Sequence, residues 1–146
     1  MPDVAALAAL HAASFTTPRP WSAAEIAALI ADPLVFLIAE VAGFALGRAV
    51  ADQAELLTIA VAPAFRRQGI GARLVSGFLG EAAARGATRA FLEVSADNAA
   101  AIAVYDSLGF VAAGRRKGYF VTAGETPKDA IVMTCVLSLP ATVKES

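Results

Sequence analysis

Two arginines, a glutamine and two glycines stand together in Val61-Ala-Pro-Ala-Phe-Arg-Arg-Gln-Gly-Ile-Gly-Ala72, between an apolar run and an amphipathic helical pattern. A helix entered through such a turn presents backbone N–H groups that have no intrahelical acceptor, and the helix dipole adds partial positive charge there. Gly69 and Gly71 let a ligand approach the backbone without meeting a Cβ, while Arg66 and Arg67 bring charge to the mouth. The turn predicts an anion site that suits a pyrophosphate. A nucleoside-triphosphate loop is a poor match because no Lys follows the glycines. A Rossmann fingerprint is a poor match too, since Leu74 stands where its third glycine belongs.

The flanking residues predict the elements that hold this turn. Leu56 to Val61 reads as a central strand covered on both faces, ended by Pro63. Ile70, Leu74, Val75, Phe78 and Ala82 recur at helical spacing, and Gly86 is placed to close that helix in the left-handed conformation. Ala90-Phe-Leu-Glu-Val94 is a short buried strand, and Asn98 caps a helix from Ala99 to Leu108. Upstream, Asp3 to Phe15 reads as an Ala-rich helix. Ser22 and Glu25 form a capping box for a second helix ending near Ala31, with Trp21 and Ile26 at the staple positions. Val35 to Val41 and Phe44 to Val50 make a hairpin, and two last strands are expected, near Phe110 to Ala113 or somewhat beyond, and at Ala130 to Leu137. The order is a mixed α/β domain whose middle is strand, helix, strand, helix and whose ends are antiparallel.

Composition narrows the partners. Twelve Lys and Arg against thirteen Asp and Glu give a net charge of −1 over 146 residues, with no electrostatic signature of a nucleic-acid or membrane-surface binder. The mean hydropathy of +0.62 comes largely from alanine. The longest strongly apolar stretch, Leu34 to Ala39, stops at Glu40, far short of the roughly 20 residues of a bilayer crossing. No basic n-region of a signal peptide opens the chain, and the single Cys135 has no partner for an intramolecular disulfide, so a cytoplasmic setting is expected. Cys135 has no His near it in sequence, His11 is lone, and no cluster shows metal-ligand spacing, so no metal site is expected.

Arg-Arg-Gln-Gly-Ile-Gly-Ala72 resembles the acetyl-CoA pyrophosphate loop of the GNAT superfamily of N-acetyltransferases. Leu57-Thr-Ile-Ala-Val-Ala-Pro63, Phe91-Leu-Glu-Val94, Asn98 to Tyr105 and Ser107-Leu-Gly-Phe110 are similar in order and spacing to its ribosomal-protein-alanine (RimI-type) subgroup. The likeness covers residues 56 to 120, extended weakly by Pro20-Trp-Ser22 and by Asp129 to Met133. It implies one α/β domain over residues 1–146: a mixed, mostly antiparallel twisted sheet with a central splayed parallel strand pair, flanked by about four helices. Residues 56–110 would form the cofactor-binding core, and 1–35 and 111–130 the acceptor side. The edge strand that usually opens the fold would be shortened or absent. By the same resemblance the pantetheine arm lies in the splay against Ile59, Ala60 and Val61, with the thioester carbonyl facing a backbone N–H near Val61. The diphosphate contacts Arg66, Arg67, Gln68, Gly69, Ile70, Gly71 and Ala72.

Transfer of acetyl to an amine requires a neutral nucleophile, a polarised carbonyl and a proton for the departing thiolate. An α-amine with a pKa of roughly 8 is partly neutral at pH 7, whereas a lysine near 10.4 needs about 2.5 units more, or about 3.4 kcal/mol. The implied base is Glu93, whose plain alternatives are a solvated strand-end carboxylate or one tied to an arginine. The implied acid is Tyr105, whose alternative is a core aromatic; a phenol near 10 would lie about 1.5 units above a thiolate. Asn98 caps its helix, contacts the cofactor, or does both. The expected acceptor is the Ala-like N-terminus of a ribosomal protein, reached through a ternary complex. A small amine, an amino acid or a lysine side chain is the second enzymatic reading, and a non-catalytic acyl-CoA-binding or partner-binding module is the third. Gly118-Tyr-Phe120 and Thr126-Pro-Lys128 depart from the subgroup's pattern, which bears on specificity more than on chemistry.

Overall fold

The computed structural model describes residues 3–14, 22–66, 68–121 and 124–137, without the side chains of 11–14. The expected Trp21–Ile26 staple, His11 and Arg67 therefore lie outside the described side chains. Helix α1 spans Val4–Ser14 and α2 spans Ala23–Ala31; the sheet strands are β1 (Val35–Glu40), β2 (Gly43–Val50), β3 (Gln53–Val61), β4 (Arg89–Ser95), β5 (Val111–Phe120) and β6 (Lys128–Val136). A short 3₁₀ turn at Pro63–Phe65 leads to α3 (Ile70–Ala84), and α4 (Ala99–Ser107) follows β4. Among the described residues no strand precedes α1.

The capping box at α2 is formed: Glu25 N–H donates to Ser22 Oγ at 3.1 Å, and Ser22 N–H donates to Glu25 Oε1 at 2.9 Å. Gly86 ends α3 at φ +94°, the left-handed position anticipated for it. The last two strands are longer than their residue types suggest. β5 runs through Gly114-Arg-Arg-Lys117 to Phe120, a stretch that reads as loop but sits at the sheet edge, where charged side chains on both faces meet water.

Among the described residues six strands form one sheet in the order β1-β2-β3-β4-β6-β5, and the single parallel pair is β3 with β4. One face carries α3 and α4 over Phe36, Leu56, Leu74, Val75, Phe78, Leu92 and Met133. The other carries α1 and α2 over Ile26, Val35, Phe44, Leu46 and Ala60. The register between β2 and β3 shifts so that Leu57 is an extra residue, Leu46 opposing Thr58 and Gly47 opposing Leu56. Such a bulge switches the alternation. Leu56 faces α3, Leu57 packs toward α1 and α2, and beyond the bulge Ile59 and Val61 return to the α3 side.

The β3–β4 pairing has only three register positions, Gln53–Arg89, Ala54–Ala90 and Glu55–Phe91. Above them β3 stays with β2 and β4 stays with β6 over its whole length, so the two central strands part. The splay implied by the resemblance is present. At its closed end the Asp52 carbonyl accepts from Thr88 N–H at 2.8 Å and Arg89 N–H at 3.3 Å, tying the β2–β3 turn to the root of β4.

Two substitutions test this packing. A Cβ at Gly47 would lie 2.6 Å from Phe36 Cζ and 2.6 Å from Phe78 Cδ1, two stacked rings with centroids 5.8 Å apart. Gly47→Ala is expected to lower unfolding free energy by about 1–3 kcal/mol in urea denaturation. Ala51, in the β2–β3 turn, holds φ at +55°, which a Cβ disfavours. Ala51→Gly is expected to raise Tm by about 1–4 °C in calorimetry, the relief of strain exceeding the added chain entropy.

Candidate active site

Gly69 precedes α3 at φ +78°, a left-handed conformation that a glycine adopts without strain. Arg73 N–H donates to the Gly69 carbonyl at 3.0 Å, closing the first helical turn and leaving the N–H groups of Ile70, Gly71 and Ala72 pointing out of the helix start. A Cβ placed on Gly71 would meet nothing within 4 Å. The protein's own packing thus does not require a glycine there, whereas a ligand lying against the backbone would. Arg66 lies at the rim and donates from Nε to the Val61 carbonyl at 3.3 Å.

From this turn a cleft of about 920 Å³ runs into the splay, within the range of small-molecule sites. Its walls include Ile59, Ala60, Val61, Gly69, Ile70, Gly71 and Ala72 on one side, and Glu93, Asn98 and Tyr105 on the other. Gln68 is exposed beside it. Ala62 N–H donates to the Ala42 carbonyl at 2.8 Å, and Val61 opposes Gly43. Antiparallel pairs alternate, so the backbone polar groups of Val61 and Ile59 turn away from β2 and toward the splay. That is the strand edge along which an extended arm would lie.

Tyr105 and Glu93 come from opposite faces of the sheet. Tyr105 rises from α4 and is 6% exposed, its ring edge-to-face on Phe110 with centroids 5.8 Å apart. It is a core aromatic and a cleft wall at once. Burial pushes its phenol up to about 12, well above the ordinary value that the sequence argument used. On β4, Ala90, Leu92 and Val94 face α3 and α4, which leaves Phe91 and Glu93 on the α1 and α2 side. A continuous sheet would separate the two groups. The gap between β3 and β4 admits both to one cleft.

Glu93 is not alone on its face. Arg116 of β5 donates from Nε to Glu93 Oε2 at 2.5 Å, and the Tyr119 hydroxyl hydrogen-bonds to the same carboxylate, which raises the phenol. The Arg116 guanidinium also sits 5.4 Å over the Tyr119 ring. Asp129 holds this stretch of β5 in place, accepting from Gly118 N–H at 2.8 Å and from Arg115 Nε at 2.7 Å. Those contacts keep its carboxyl below the usual range. The tie to an arginine foreseen as the plain alternative for Glu93 is therefore real, and it coexists with a place on the cleft wall. Asn98 caps α4, its Oδ1 accepting from Ala101 N–H at 3.1 Å, and also borders the cleft. Cys135 is buried on β6 with its thiol pushed up by burial, unsuited to act as a thiolate nucleophile.

Sequence reasoning gives no role to Glu55 or Arg116, and marks Tyr119 only as part of a departure from the subgroup's pattern. Arg116 and Tyr119 belong to a stretch that reads as loop, and their signal would have been the alternation of an edge strand. Glu55 stands beside Phe91 on the same face as Glu93 and borders the cleft. Partial burial pushes its carboxyl up against the pull of the Arg48 guanidinium, with a further push from Glu93. A single acidic residue opening an apolar strand was its only mark.

The family model of the Acetyltransferase (GNAT) family matches residues 5–110. The [ribosomal protein bS18]-alanine N-acetyltransferase of Salmonella typhimurium is 45% identical over 98 residues, 67% of this chain and 66% of that protein. The N-alpha-acetyltransferase RimI of Mycobacterium tuberculosis is 35% identical over 131 residues, covering 84% of this chain and 81% of its own. The crystal structure of the ribosomal-protein-S18-alanine N-acetyltransferase from Escherichia coli superposes with a TM-score of 0.83 at 33% identity, over 99% of this chain and 94% of that one. A family match across most of the chain, together with a shared fold at that identity, establishes that this protein belongs to the GNAT acetyltransferase family.

Proposed function

We propose that this chain moves the acetyl group of acetyl-CoA to the N-terminal α-amine of a protein, by direct attack within a ternary complex. The acceptor is the alanine terminus of ribosomal protein bS18, the substrate for which its bacterial relatives are named. The observation that carries the reading is the parting of β3 and β4 beyond Glu55 and Phe91, which joins the start of α3 to Glu93 and Tyr105 through one cleft. A cytoplasmic setting goes with that acceptor, and residues 1–146 act as one catalytic domain. No helix among the described residues is long and apolar enough to cross a membrane.

The diphosphate of the coenzyme settles on the N–H groups of Gly69, Ile70, Gly71 and Ala72, with Gln68 in the turn and Arg66 and Arg67 neutralising charge. Its pantetheine extends along Ile59, Ala60 and Val61 as an added strand, with Asn98 on the opposite wall. The Val61 N–H faces the thioester carbonyl and stabilises the oxyanion, an effect commonly worth about 3 kcal/mol. Glu93 accepts the amine proton through a water molecule, and Arg116 holds that carboxylate in place before the acceptor arrives. Tyr105 donates a hydrogen bond to the leaving sulfur. With the phenol near 12 and a thiolate near 8.5, full proton transfer is uphill by about 3.5 units, so Tyr105 stabilises the developing thiolate while remaining a phenol, and the thiolate takes its proton from water as CoA departs.

Thiol release from acetyl-CoA is expected to be fastest with an Ala-initiated peptide, slower with an N-blocked Lys peptide and slower still with small amines. Preference for either of the latter would displace the acceptor assignment, and coenzyme binding without release for every acceptor would make the chain a binding module. Gly71→Glu is expected to weaken acetyl-CoA binding at least tenfold in calorimetric titration, by filling the space above the helix start. Glu93→Gln is expected to lower kcat on the order of 10²-fold, most strongly below the α-amine pKa of roughly 8, where a proton must be removed. Tyr105→Phe is expected to lower turnover more than coenzyme affinity. Because the buried phenol stays protonated to about 12, the wild-type rate should show no alkaline fall near the ordinary tyrosine pKa of about 10 in a pH profile.

A further inference from the structure

Arg73 lies in the first turn of α3 and faces away from the core, yet its side chain is heavily engaged. Its Nε donates to Glu40 Oε1 at 3.1 Å and Oε2 at 3.0 Å, and its Nη2 donates to Oε1 at 2.8 Å. The remaining arm, Nη1, donates to the Gln68 carbonyl at 3.3 Å. One guanidinium thus spans the last residue of β1 and the turn ahead of the helix. The contact holds the Glu40 carboxyl below its usual value and raises the guanidinium in return.

The Gln68 carbonyl and the Gly69 N–H belong to one planar trans peptide unit and therefore point in opposite directions. Drawing the carbonyl toward Arg73 turns the Gly69 N–H away from Arg73, in a residue that lines the cleft. Without that draw, the glycine-flanked peptide is free to rotate and present its carbonyl to an anion. The backbone N–H of Arg73 also takes the Gly69 carbonyl at 3.0 Å, so one residue anchors both carbonyls of the turn. From this geometry we infer that Arg73, held by Glu40, is a positioning residue for diphosphate binding: it presets the Gln68–Gly69 peptide and does not contact the phosphates. The inference rests on the reading of this turn as the diphosphate cradle.

The distinguishing variant is Glu40→Gln, because it separates two roles of opposite sign. A positioning arginine loses its anchor and the coenzyme binds less tightly; an arginine that itself seeks phosphate is released and the coenzyme binds more tightly. Dissociation constants for CoA, and inhibition constants for pantetheine, which lacks the diphosphate, are to be measured for wild type, Glu40→Gln, Arg73→Ala, Arg73→Lys and Gly71→Glu. The expected result is about a 3- to 10-fold weaker CoA affinity in the Glu40 variant and both Arg73 variants, the size of a lost exposed charge-assisted contact. Lysine cannot serve Glu40 and Gln68 together, so it should not rescue. Pantetheine inhibition should stay at its wild-type value, and the loss should appear in KM for acetyl-CoA and not in kcat. Tighter CoA binding by Glu40→Gln, or equal losses for CoA and pantetheine, overturns the inference. If Gly71→Glu abolishes CoA binding while Glu40→Gln and Arg73→Ala leave it intact, the positioning role fails and the cradle stands. If Gly71→Glu also binds CoA normally, the cradle itself fails.

Discussion

The parting of two strands that begin as neighbours governs the rest of this molecule. β3 and β4 share three register positions and then follow different partners, β2 on one side and β6 on the other. Backbone groups along the open edges must still be satisfied, and a sheet left open in its middle is a template for something extended. The bulge at Leu57 adds to this by returning Ile59 and Val61 to the α3 face just where β3 leaves β4. A wide opening in the centre of a six-stranded sheet would be a defect in a purely structural domain. Here it is roofed by α3 and α4 and ends at a helix start rich in N–H groups.

The cleft is electrically polarised along its length. At one end the start of α3 and Arg66 favour an anion. At the other, Glu55 and Glu93 stand on one face and are held apart in character by their surroundings: partial burial raises Glu55, while Arg116 and Tyr119 occupy Glu93. Tyr105 borders the same cleft from the α4 side, its phenol raised by burial. On the proposed function, phosphate-bearing donor and ammonium-bearing acceptor are each drawn to their own end and meet through the opening in the sheet.

Much of this was legible in the residues. The capping box at Ser22 and Glu25, the closing Gly86 and the glycine-rich turn at Gly69 to Gly71 each carry a local chemical signature, and each has the anticipated structure. The splay did not follow from periodicity, because Leu56 to Val61 and Leu92 to Val94 look like ordinary buried strands; family resemblance supplied it. The far end of β5 is not fixed by pattern, because Gly114-Arg-Arg-Lys117 breaks every apolar alternation, and an edge strand exposed on both faces has no need of one. The contacts of Glu55, Arg116 and Tyr119 are hidden for a related reason. Their meaning arises from long-range pairing across β3, β4, β6 and β5, which sequence neighbours do not report.

β5 also bears on how the outer edge of the sheet is guarded. It is a ten-residue strand whose outer ladder pairs with nothing among the described residues, the kind of border that invites another chain to join the sheet. Consecutive cations at Arg115, Arg116 and Lys117 make that border self-repelling, and two of them are simultaneously committed to Asp129 and Glu93. Edge protection and the anchoring of Glu93 are thereby vested in the same few side chains, so neutralising this rim to change one property disturbs the other.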